Sequence, residues 1–201
     1  MKKLFLILLF TSFFSNKLFP DIDQYKIGGV SLGSSILDVM SENEIIDNTL
    51  QRSSHGEQYF IINYNKNLSN FPETKNFDIV YFTIDIDDEN FSIVAITMYK
   101  SYGTDFNSCK KDQKLLANKY EKIFKIKKEE LPEKDFSSRY GTGSRWKAII
   151  FEKPNFKVIK SNTASVLCYH YGMTTENELH GQDNLKVNIL TRKFADAATV
   201  K

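Results

Sequence analysis

In the run Ala164-Ser165-Val166-Leu167-Cys168-Tyr169-His170-Tyr171 a cysteine stands two residues before a histidine. Side chains at i and i+2 of a strand share a face, so Cys168 and His170 could act as a thiolate–imidazole pair or as two ligands of a zinc site. Zinc needs further ligands, and the remaining histidines, His55 and His180, belong to no ligand-spaced pair. The spacing therefore predicts no metal site. The other cysteine, Cys109, offers a third fate: in an oxidising compartment the two form a disulfide if the fold brings their Cα atoms within roughly 7 Å. A cysteine held that way supplies no thiolate for catalysis. The expectation is a Cys109–Cys168 disulfide with His170 as its neighbour.

Other residues that could do chemistry are scattered. The loop Glu178-Leu179-His180-Gly181-Gln182-Asp183 places a base and a carboxylate near each other, which would suit hydrolysis if a serine such as Ser144 approached. The glycines around Ser144 match neither the G-x-S-x-G elbow nor a phosphate loop. Asp85, Asp87, Asp88 and Glu89 crowd one stretch but lack the glycine of an EF-hand loop, so a solvated hairpin tip is expected. No catalytic residue is assigned and no cofactor is expected. The competing reading is an exported hydrolase using His170 or His180.

The elements that must position these residues begin with "MKKLFLILLFTSFFSNKLFP". Two lysines followed by the apolar run Leu4–Phe14 give the layout of a secretory signal peptide, too short to span a bilayer, over residues 1–20, with cleavage between Ser15 and Pro20. Export to the periplasm or medium supplies the oxidising compartment. Loss of Lys2 and Lys3 takes the 27 basic residues to 25, and a cut beyond Lys17 to 24, against 25 acidic. A near-neutral chain lacks the general cationic excess of a nucleic-acid binder, and no such partner is expected. No membrane span is expected after cleavage.

Residues 21–201 suit a single α+β domain, or two small halves joined by the loop around 127–144. Ser34 or Ser35 can cap a helix carrying Ile36, Leu37, Val39 and Met40. Ser41 and Glu44 form a capping-box pattern ahead of a second short helix. Periodicity then turns to two: Glu57–Asn65 is a strand candidate, and Phe77–Ile86 with Phe91–Lys100 flank a polar turn as a hairpin. Val80, Phe82, Ile84 and Ile86 share one core face, and Val94, Ile96 and Met98 another. Cys109, Leu116, Tyr120, Ile123 and Phe124 trace one stripe of a long helix capped by Asn107 or Ser108, with a lysine-rich opposite face. Residues 125–144 lose periodicity and read as an exposed loop. Four further strands are expected at Arg145–Lys153, Phe156–Lys160, Ser165–Tyr171 and Leu185–Lys193, with a turn at Pro154-Asn155. The sum is a mainly antiparallel sheet with two helical elements packed on one face and one disulfide.

The opening Ile27-Gly28-Gly29-Val30-Ser31-Leu32-Gly33-Ser34-Ser35-Ile36-Leu37-Asp38-Val39 resembles the start of small bacterial envelope domains. It is similar to the small lipoproteins of the outer-membrane assembly machinery, to β-lactamase-inhibitor-like domains, and to uncharacterised exported bacterial proteins with a cysteine at a helix start and another in a later strand. The chain departs from the lipoproteins in having no cysteine after its apolar run, so their lipid tether does not carry over. The resemblance implies helices packed on an antiparallel sheet and a non-catalytic binding or scaffolding role in the periplasm or envelope. Tyr99, Tyr102, Phe106, Tyr140, Trp146, Tyr169 and Tyr171, where they emerge together, would serve contact with an envelope protein or a glycan. Oligomeric state is not legible.

Overall fold

A computed structural model describes residues 22–52, 57–64, 70–137, 141–151, 162–172 and 182–199. The segment 1–20 expected to be a signal peptide, the strand expected at Phe156–Lys160, the turn expected at Pro154-Asn155, His55, Tyr140 and His180 lie outside them.

Among the described residues nine strands form one antiparallel sheet: β1 (Thr49–Arg52), β2 (Tyr59–Asn63), β3 (Ile79–Asp85), β4 (Ile93–Ser101), β5 (Lys128–Glu130), β6 (Lys134–Asp135), β7 (Arg145–Phe151), β8 (Thr163–His170) and β9 (Asn184–Leu190). Their order is β1-β2-β3-β4-β9-β8-β7-β5, with β6 also on β7. Two meanders thus meet at β4 and β9, paired from Ala95 opposite Leu190 to Ser101 opposite Asn184. Among the described residues three α-helices accompany the strands: α1 (Glu42–Asn48), α2 (Phe106–Phe124) and α3 (Arg192–Thr199). The α+β class, the antiparallel sheet and the disulfide are as the sequence implied.

One face of the sheet carries the main core. Phe82, Ile84, Ile96 and Met98 from the first meander and Ile149, Val166, Val187 and Ile189 from the second pack under residues 22–40 and α2. Alternation explains the choice, since every second residue of each strand points to this side. The opening segment reaches it through a tight reversal at Gly28-Gly29, both at positive φ (62° and 93°), between mutually bonded Ile27 and Val30. Glycine suits both positions, and an added Cβ at Gly28 would meet the Tyr64 ring at 2.9 Å. The Gly33 amide then donates to the Ile93 carbonyl, and Ser35 Oγ donates to the Asn90 carbonyl. The opening Ile27–Val39 is therefore the strap that seats the chain on the β3–β4 turn.

Local signals held in part. Ser35 caps a single 3-10 turn, Ile36–Asp38, rather than an α-helix. Ser41 and Glu44 do form the capping box of α1. The long helix is capped by Asp105, whose carboxylate accepts from the Ser108 amide, and not by Asn107 or Ser108. A bulge where Thr83 faces Ala95 but Ile84 faces Ile93 shifts the alternation, so Ile93 replaces Val94 in the main core. Val94 is buried on the other side, with Tyr59 and Phe194. The expected loop after α2 contains β5 and β6, a charged edge strand broken at Pro132. The final strand stops at Leu190, and the additional helix α3 lies across one end of the opposite face.

Candidate binding face and the His170 pair

The first site built from the sequence is the disulfide. Cys109 sits in the first turn of α2 and Cys168 in β8, both fully buried, with Cα atoms 6.0 Å apart. It fastens the helix to the sheet, and no free thiol remains among the described residues. Gln113, one turn further along α2, reinforces the joint: its Nε2 donates to the carbonyls of Lys147 and Val166, each at 2.8 Å. That fully buried glutamine was not read from the sequence. Its place on the same stripe as Cys109 and Tyr120, at i+4 and i+11, was the available signal.

His170 shares the helix side of β8 with Cys168, as the i, i+2 rule requires, and lies at the N-terminal end of α2. Its Nδ1 is 2.9 Å and 3.0 Å from the two carboxylate oxygens of Asp183, and its ring is 5.5 Å from that of Phe106. Asp183 is 1% exposed and also accepts from the Tyr171 amide. Its backbone is pinned by exchange with the 102–103 turn: the Tyr102 amide donates to its carbonyl, and its own amide donates to that of Gly103. Asp183 thus serves His170, the partner sequence proximity had not suggested.

A carboxylate and an imidazole in this arrangement are two of the three groups that a hydrolytic triad needs, the third being a nucleophile. Ser144 is buried and its Oγ accepts from the Gly172 amide at 2.7 Å; among the described residues His170 is hydrogen-bonded to no hydroxyl or thiol. Around the pair, Lys110 and Arg145 lie over the Phe106 ring at 4.6 and 5.1 Å and both bridge to Glu133. Among the described residues no group of three or more His, Cys, Asp or Glu could hold a metal. In the acidic stretch, Asp85 pairs with Lys193 of α3 at 2.8 Å, while Asp88 accepts from the Asn90 amide; hydrogen bonds from Ser92 and Asn90 hold its carboxyl below the usual range.

The second feature is the sheet face opposite the main core. α3 packs through Phe194 and Ala197 on Tyr59, Val94, Ala95 and Leu190 at one end. Register places the remaining side chains in rows across the strands. Tyr81, Thr97, Asn188, Ser165 and Ile150 make one; Ile79, Tyr99, Lys186, Leu167 and Ala148 the next; Ser101, Asn184, Tyr169, Trp146 and Lys134 the third. Thr97 and Asn188 are hydrogen-bonded, as are Asn188 and Ser165. The aromatic side chains are half-buried and lie among cations: Tyr81 is edge-on to Tyr99, Lys186 is 5.4 Å from the Tyr99 ring and Lys134 5.6 Å from that of Trp146. Of the aromatic residues singled out in the sequence, Tyr99, Trp146 and Tyr169 belong to this face. Tyr102 and Phe106 lie at the start of α2 instead.

Comparison with models of protein families, with curated proteins and with solved structures returned no match in any of the three. Among the described residues no helix is long and apolar enough to cross a membrane.

Proposed function

We propose that the chain is a non-catalytic binding or scaffolding module, exported to the bacterial periplasm or envelope, that engages an envelope protein or a glycan on the sheet face opposite α2. The observation that carries this reading is the set of Tyr81, Tyr99, Tyr169 and Trp146 on one side of the sheet, interleaved with Thr97, Asn188, Ser165 and Lys186. Rings with a polar rim bury large apolar area at low entropy cost and still orient a polar partner. The apolar start of the chain, the disulfide and the resemblance of Ile27–Val39 to envelope domains support the compartment.

Trp146 is the single tryptophan, so it reports on its own face. Envelope oligosaccharides and candidate envelope proteins are titrated while its emission is followed. A saturable shift, lost in Tyr99→Ala and Tyr169→Ala chains of unchanged circular dichroism, is expected. A partner bound equally well by those variants would overturn the reading. Mass spectrometry of the exported chain checks cleavage before residue 21 and the cystine.

The His170–Asp183 geometry favours one second reading, an exported hydrolase in which Asp183 orients His170; His180 is the alternative base. Turnover of model esters or amides that disappears in His170→Gln would support it. Equal background hydrolysis by both chains would dismiss His170.

A further inference from the structure

We propose that the outward face of α2 is a peripheral docking surface for an anionic lipid bilayer. Lys111, Lys114, Leu115, Asn118, Lys119 and Lys122 fall at i, i+3, i+4, i+7, i+8 and i+11, one continuous stripe, and all are exposed. The buried stripe of Cys109, Gln113, Ala117, Tyr120 and Phe124 lies on the other side of the helix, so this stripe is the part of α2 turned furthest from the sheet. It contains no acidic residue. The helix has two, Asp112 and Glu121, which flank the stripe on either side, and each is engaged by a lysine from outside the helix. Asp112 accepts from Lys100 and Tyr102, and Glu121 pairs with Lys128 and accepts from its amide. None of Lys111, Lys114, Lys119 and Lys122 forms an ion pair among the described residues. This face therefore carries a local excess of positive charge, offset only in part by Asp112 beside Lys111, although the chain as a whole is nearly neutral.

A charged helix face alone would suit any polyanion. Leu115 decides between them: it stands at the centre of the four lysines, 60% exposed, where a nucleic acid or an acidic protein loop would gain nothing from it. Lipid headgroups take lysine ammoniums at the phosphate level while a leucine between them enters the acyl boundary. Lysines near an anionic surface each raise partitioning by about fivefold at low salt. Docking through α2 would leave the aromatic face on the far side of the sheet turned away from the bilayer. The inference is independent of what that face binds, and each survives failure of the other.

The test uses the full chain and its variants with vesicles of phosphatidylcholine alone and of phosphatidylcholine with phosphatidylglycerol. The apolar residues 4–14 are common to every variant, so the comparison is between variants. Expected is partitioning to phosphatidylglycerol vesicles that falls at least tenfold in Lys111→Glu/Lys119→Glu, falls severalfold in Leu115→Ser, and weakens from 0.05 to about 0.5 M salt. Acetylation by a water-soluble reagent, read by mass spectrometry, should show Lys111, Lys114, Lys119 and Lys122 protected by those vesicles while Lys134, exposed on the opposite face, remains reactive. Unchanged partitioning of the charge-reversed chain, no protection of the four lysines, or equal retention by a DNA duplex with no effect of Leu115→Ser would each overturn the proposal. The substituted residues are solvent-exposed, and unchanged urea midpoints establish that the variants fold.

Discussion

Nδ1 of His170 lies 2.9 Å from Oδ1 of Asp183, a carboxylate that protein covers almost completely. The same oxygen takes the Tyr171 amide, so the side chain joins the end of β8 to the start of β9. Asp183→Ala strands a ring nitrogen and a main-chain amide, and should lower stability by about 2 kcal/mol, read as the urea midpoint. Asp183→Asn retains one acceptor oxygen and should lose less. A variant more stable than the parent would instead mark the pair as a site where stability is sacrificed for activity, and would favour the hydrolase reading.

Cys109 and Cys168 are 59 residues apart, and closing that loop stabilises the fold by about 4 kcal/mol in the chain-entropy view. Both sulfurs are buried, so a reductant should act only through unfolding. Under mild urea the rate of thiol appearance should track the unfolding rate. The double Cys109→Ser/Cys168→Ser chain should unfold at a much lower urea concentration.

Gly172 and Gly143 separate two reasons for glycine. A Cβ at Gly172 would run into the main-chain carbonyl of Thr142, which cannot rotate aside, whereas Gly143 has open space around it and a φ of +88°. Gly172→Ala should cost about 3 kcal/mol through overpacking. Gly143→Ala should cost about 1 kcal/mol, from backbone conformation alone. Thermal midpoints of the two variants would rank them.

The parts of this architecture that were legible from sequence are those governed by local rules. Strict alternation in Leu185, Val187 and Ile189 marked β9, and the period of α2 marked its buried stripe. Two cysteines in a chain with an export-like start implied their union. What escaped depended on neighbours distant in sequence. The bulge at Thr83 moved Val94 to the other face, and α3 became a helix against Tyr59 and Val94, which nothing in Arg192–Thr199 announces. Asp183 was set beside His180 by chain proximity, yet strand register delivers it to His170. The rows of Tyr81, Tyr99, Tyr169 and Trp146 exist only once β3, β4, β8 and β7 are laid in order, so Tyr99, Tyr169 and Trp146 could be named beforehand, but neither Tyr81 nor the common face could.

Asp112 supplies a dependence on pH whose sign follows from its partners. Its carboxyl is lowered first by the hydrogen bond from Lys100 at 2.8 Å, then by that from Tyr102 at 2.6 Å. A carboxyl depressed on folding stabilises fully above its unfolded value, near 3.8, and that stabilisation fades as pH falls through the lower folded value. Lys100 is raised, chiefly by the same bond, so its share is whole below 10.5 and fades as pH climbs past its folded value. Burial, then the bond to Asp112, pushes Tyr102 up to about 12, so its share is whole below 10.0 and fades toward 12. The cluster therefore contributes a plateau between about pH 4 and 10. Because Lys100 and Asp112 are each roughly a third exposed, water screens the pair and the plateau is under about 1 kcal/mol. Urea midpoints of the parent and Asp112→Asn should differ at pH 7 and converge toward pH 2 and again toward pH 12. A difference that persisted unchanged at pH 2 would mean that Asp112 acts through shape and hydrogen bonding rather than through its charge.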